Sequence, residues 1–317
     1  MIKDLSFNVA LGIASTLFLS LSLMGAGTSA TAGNALQALS LTILSITPLF
    51  LSGLGWGLTG GLVSVAAGAV ITGIFISPLL SFTYVLTCGL PVLVIVRQAL
   101  LWREQDGVIF WYPIHRLMVC WILITIAFSC MAALLLYMND ELREGLLIEF
   151  GKLISQIQKQ GNAFDTMTPE KLIWYLPQFF GPFWGINVLI SGCLAQGVLT
   201  SFKKNVRPSP EFSGLQMPKW LAALTIVVTT LSMINESFGL FLGMVVTTLG
   251  IVFFLQGMAV IHRVSSSWNY RSLVLTAVYL IMILMFWPVL VIMLLGLTDS
   301  WIGFRGRALA TPNQEED

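Results

Sequence analysis

The sequence predicts an all-α, polytopic transmembrane helix bundle of about nine spans, within a range of eight to ten. Three observations carry this expectation. Of the 317 residues, 56% are hydrophobic and only 10% are charged, against about 25% charged in soluble domains. No Asp, Glu, Lys or Arg occurs between Asp4 and Arg97. The Lys and Arg residues that do occur gather between apolar runs, in alternate loops.

A spanning helix needs about 20 apolar residues, so the first charge-free stretch holds four crossings. Gly, Ser, Thr, Asn and Pro clusters divide it into spans near 5–25, 35–53, 56–76 and 78–96. Turns are expected around Gly25–Asn34, Gly53–Gly55 and Ser77–Pro78. Further apolar runs lie at 114–138, 173–199, 218–234, 238–261 and 272–297. Each must be helical, because lipid offers no partner to a free backbone N–H or C=O. The last run contains Trp287 and Pro288 and is longer than a single crossing needs. Proline kinks it, or it re-enters and returns the tail to its starting side. The N-terminus also carries a secretory-signal-like pattern, Lys3, an apolar stretch and then Ala30-Thr31-Ala32, and cleavage there is the lesser of two readings.

Orientation follows from the basic loops. Arg97, Arg103 and Arg116, then Lys203, Lys204, Arg207 and Lys219, then Arg263 and Arg271 all fall on one side, together with Lys3. That side is expected to be the cytoplasm of a bacterial inner membrane. Residues 139–172 are acid-rich and fall outside. Within them Leu142, Leu146, Phe150, Leu153 and Ile157 share a helical face, which reads as a helix lying on the outer interface or a lid over a pocket. Gly161-Asn162 would end it. Three regions result: a glycine-rich membrane bundle at 1–138, an extracytoplasmic amphipathic segment at 139–172, and a C-terminal membrane bundle at 173–317.

Several functions are excluded by what is missing. A net charge of +1 without a basic cluster offers nucleic acid no surface. Cys88, Cys120, Cys130 and Cys193 have no metal-ligand spacing, and only His115 and His262 could join them. No metal, cofactor or disulfide framework is expected. HExxH, GxSxG and P-loop patterns are absent, so no enzyme is expected. No charged residue lies deep in any of the nine runs, which argues against a carrier driven by ions or protons.

The remaining candidates are neutral. Trp56, Tyr84, Asn187 and Gln196 are candidate liners of a ligand cavity between the glycine-rich hairpins and the sixth span. Asn187 lies in a run opened by Pro177, Gly181, Pro182 and Trp184, where a broken helix would free backbone groups. Gly53, Gly57 and Gly61 repeat every four residues, as does the row Gly60, Ser64 and Gly68, and Ala10 and Ala14 form a shorter pair. Such spacing lets helices approach closely or dock a partner.

The runs FFLQGMAVIH from Phe253 to His262 and GLTDSWIGFR from Gly296 to Arg305 resemble the YybS-like family of uncharacterised bacterial multi-spanning membrane proteins. Members usually carry a second Asp two positions before the Arg, where this chain has Gly303. The N-terminal half is similar to the S-components of energy-coupling-factor vitamin importers. Some of those dock a coupling subunit through an AxxxA pair on the first helix, which Ala10 and Ala14 would match. The resemblance implies a permease-like or substrate-binding subunit for a small solute, with the lipid bilayer and an energy-coupling module as partners. A non-transport scaffold or assembly factor is the alternative.

Overall fold

The structure is a computed structural model that describes residues 2–26, 32–159, 168–234, 239–285 and 287–304. Among the described residues six helices are long and apolar enough to cross a membrane, and three shorter apolar helices join them. The chain divides into two compact units, Met1–Ile124 with Phe183–Ser209 and Thr125–Pro182 with Pro210–Asp317. The units divide inside the fifth and seventh helices and in the loop after the seventh, at 209/210.

The first unit opens with α1 (Ile2–Ala26) and α2 (Ala32–Phe75). α2 is two helical limbs joined at Gly57, whose φ of 79° and ψ of −177° only glycine adopts readily. A Cβ on Gly61 would sit 3.3 Å from the Gly53 Cα. In an unbroken helix those residues lie about 12 Å apart, so the chain reverses at Gly57. The turn expected at Gly53–Gly55 is therefore displaced, because Gly53 is used for packing against Val96.

α3 (Pro78–Tyr84) starts where the sequence indicates, with Ser77 capping Leu80 N–H and Pro78 in the first turn. It continues through a π-helical turn, Val85–Gly89, into α4 (Leu90–Ala99). The π turn has a local cause. Pro91 has no N–H to give the Thr87 carbonyl four residues earlier, and that carbonyl accepts the Trp184 indole N–H at 3.2 Å.

A two-stranded antiparallel hairpin follows, β1 (Trp102–Gln105) and β2 (Val108–Trp111), in a stretch that hydropathy alone presents as loop. α5 (Ile114–Met138) leads to α6 (Asp140–Lys159), the amphipathic helix expected there. α7 (Pro169–Ser201) is continuous through Pro177 and Pro182, so the break expected near Asn187 is absent.

In the second unit α8 (Lys219–Ile234) and α9 (Gly239–Val264) precede α10 (Arg271–Leu284) and α11 (Trp287–Ile302). The last apolar run is thus two helices of 14 and 16 residues, about 21 and 24 Å long and each short of the ~30 Å core. The chain is extended at Met285, and Pro288 begins α11 rather than kinking a longer helix. Gly250 meets Met293, Phe253 meets Gly296 and Gln256 meets Asp299. This constant offset makes α11 run parallel to α9. The chain therefore runs back through α10, and α11 ends on the side where α9 ends. The signal-like Ala30-Thr31, Gly161-Asn162, Arg305 and Arg307 lie outside the described residues.

Candidate functional site

α9 and α11 approach because both lack side chains where they cross. A Cβ on Gly257 would overlap the Ile292 carbonyl oxygen, and one on Gly296 would overlap that of Phe253. This close crossing encloses three polar side chains. Gln256, Asp299 and Ser300 are all buried. The Gln256 amide donates to Asp299 Oδ2 at 3.0 Å and to Ser300 Oγ at 3.2 Å. Its oxygen accepts the Met217 backbone N–H at 2.8 Å. One amide thus uses both its donors and an acceptor to join α9, α11 and the segment before α8.

Asp299 is a buried acid that falls just past the apolar runs read from the sequence. The sequence suggests a last run ending at 297, whereas α11 continues to Ile302 and carries the carboxylate into the interior. Thr298-Asp299-Ser300 reads as a polar loop by composition. Only the parallel pairing with α9 reveals it as a buried turn of helix.

The end of α9 beyond this network holds a second cluster. His262 Nε2 and the Tyr279 hydroxyl share a hydrogen bond of 2.9 Å, Phe212 meets the His262 ring edge-on, and Arg263 pairs with Glu211 at 3.3 Å. These contacts fasten the 211–214 turn to α9.

The candidate liners are not brought together. Trp56 stands beside the Gly57 turn, where its indole N–H donates to Asp4 at 3.1 Å and Lys204 lies 5.7 Å from its ring. Tyr84 is buried against Gly68 and donates to Ser15 Oγ at 3.0 Å. Asn187 is buried and donates to Phe183 O, one turn back in its own helix. Gln196 donates to Arg207 O and Ser209 Oγ, holding the loop after α7.

Of the small residues, Gly53 and Gly61 lie in the α2–α4 packing, and Gly57 makes the turn. Ala10 is exposed and Ala14 half-buried. Gly12 makes the close approach of α1 to α2, where a Cβ would overlap the Ser64 carbonyl oxygen. Asn8 is buried there, accepting from Ser52 at 2.8 Å through its side chain and from Ser64 through its carbonyl.

Arg207 is a residue the sequence did not single out as special. It is buried and donates to Ala99 O at 3.0 Å and Tyr112 O at 2.8 Å. Burial lowers its pKa, but an arginine remains charged at any ordinary pH. In the second unit a small apolar recess is lined by Leu136, Tyr137, Ile173, Trp174 and Met244, with Arg143 and Gln178 at its polar edge.

Helices of this length and apolarity, six of them long enough to cross a membrane among the described residues, define a polytopic helical membrane protein. The chain belongs to the family described as predicted membrane protein (DUF2232), whose model matches residues 38–300. No curated protein and no solved structure matches it.

Proposed function

We propose that the chain is a permease-like or substrate-binding subunit for a small uncharged or zwitterionic solute. It would reside in the bacterial cytoplasmic membrane with its N-terminus inside. The observation that carries this reading is Asp299, a carboxylate fully buried between α9 and α11 and held by Gln256. A charged group inside a membrane bundle is costly and is usually kept for a function. Half-length helices returning to one side are also a recurring frame for solute and ion sites. The carboxylate would receive the cationic end of a zwitterion, with Ser300 beside it.

The resemblance of the sequence runs to YybS-like proteins and importer S-components points the same way as an analogy, which alone does not fix function. The exposed Ala10 face of α1 would then meet an energy-coupling subunit. We read the chain as having no enzymatic role. The scaffold reading draws support from Trp56, Tyr84, Asn187 and Gln196, each of which hydrogen-bonds to a different partner within its unit.

Native mass spectrometry of gently solubilised protein separates the two. The wild type is expected to retain a small solute that Asp299→Asn loses while its unfolding temperature holds. A ligand-free chain that keeps the same protein partners in both forms would establish the scaffold instead.

A further inference from the structure

The β1–β2 hairpin has no place in the proposed solute site, yet it is built with care. Asp106 and Gly107 take φ of 53° and 76°, the left-handed pair of a type I′ turn, which matches strand twist. Gln105 pairs with Val108 directly across that turn, and Trp102 pairs with Trp111 at the base. Tyr112 N–H extends the ladder to Leu101 O at 2.9 Å. Both legs are then fixed from below by one side chain, since Arg207 holds Ala99 O on one and Tyr112 O on the other.

A two-stranded hairpin alone in water is marginal, and this one is apolar where it should be polar. Trp102 is 57% exposed, Val108 55%, Ile109 53% and Phe110 45%. Its two legs leave the ends of α4 and α5, both parts of candidate spans, so its base lies at the membrane surface. Four residues at about 3.3 Å reach roughly 13 Å, comparable to the depth of an interfacial layer.

Charge selects the occupant. Arg97, Arg103, Arg116, Lys203 and Lys204 are exposed in this unit. The loop carrying the two lysines is tied to the hairpin base through Arg207. Against them stand Glu104, Asp106 and Asp4. Strand alternation and register put Arg103, Gln105, Val108 and Phe110 on one face, with Arg103 lying 5.7 Å from the Phe110 ring. That face carries no acid, while Glu104 is on the other.

We propose that this hairpin is a membrane-interface anchor, laying its Arg103–Gln105–Val108–Phe110 face on the anionic headgroups of the bilayer its own helices span. Val108 and Phe110 enter the acyl boundary and Arg103 meets lipid phosphates, while Trp102, Ile109 and Trp111 share the opposite face with Glu104. Arg207 sets the angle at which the hairpin leaves the helices.

The test places an environment-sensitive fluorophore at Val108→Cys, Phe110→Cys or Glu104→Cys in the full chain, in nanodiscs of phosphatidylglycerol and phosphatidylcholine. The parent protein labelled in parallel supplies the background of the native cysteines. Labels at 108 and 110 are expected to be quenched by nitroxide lipids and shielded from aqueous iodide, with the label at 104 showing the reverse. Arg103→Gln should lower the ratio of lipid-facing to water-facing label about fivefold in phosphatidylglycerol discs. Equal iodide access at 104, 108 and 110 would overturn the proposal, placing the hairpin in water. Iodide shielding without nitroxide quenching would also overturn it, showing a protein cover instead. Two reporters on the lipid face keep the result readable if one substitution misfolds.

Discussion

The Gln256 side chain is a single amide whose loss would be felt in three places. Gln256→Met keeps the volume but leaves Asp299, Ser300 and the Met217 N–H without this partner. Bonds to charged groups contribute about 1.5–3 kcal/mol, and a loss of that size is expected from chemical denaturation in detergent. Small residues divide in the same local way. Gly12→Val forces α1 off the Ser64 carbonyl and should cost about 1–3 kcal/mol, while Ala10→Val on the exposed side should change stability by less than about 0.5 kcal/mol. Ala10 and Ala14 have the spacing of four that marks a packing face and Gly12 belongs to no such row, so spacing does not rank them. Which row faces inward depends on the rotation of α1, set by Asn8 and Ser15 reaching Ser52, Ser64 and Tyr84 from a distance in sequence. Asp299 escaped for a similar reason, since hydropathy falls at Thr298 although the helix does not stop.

At the scale of elements, apolar run length made most helices legible, and Ser77-Pro78 marked one boundary to the residue. The hairpin was legible too, through Asp106-Gly107 beside the apolar run Val108–Trp111, but membrane-scale hydropathy overlooks four-residue strands. Two other features depend on tertiary contact. The π turn is written locally in Pro91, yet its outlet, the Trp184 indole, is on another helix. Pro91→Ala would return a helical donor to Thr87 O. Trp184→Phe should then cost about 1 kcal/mol less in that background than in the wild type, a coupling that a double-mutant cycle reads directly. Gly57 is the other case. Its spacing with Gly53 and Gly61 suggests packing, but its backbone angles make it the reversal. Gly57→Ala should lower stability by about 1–3 kcal/mol, measured as a shift in the unfolding midpoint, although a Cβ there would meet nothing within 4 Å.

For the whole molecule, the parallel course of α9 and α11 predicts a sidedness. Cysteines introduced at Ser266 and Ile302 should react with an impermeant reagent from the same face of sealed vesicles. Reaction from opposite faces would mean that the last segment crosses. Composition revealed the membrane and most of the apolar helices, because bilayer thickness and backbone hydrogen bonding leave few alternatives. It revealed neither the buried network nor the dispersal of the four candidate liners, which depend on how helices rotate against one another. The one-residue reversal at Gly57 has a further consequence in biosynthesis. It leaves no room for a charged loop, and none occurs between Asp4 and Arg97. The insertion machinery therefore receives four successive passes carrying no internal signal of direction. Their orientation must be inherited from the charges that flank them, those before the first pass and Arg97 after the fourth. A lysine introduced into the α2 reversal would speak into that silence, competing with both ends for the topology of the nascent chain.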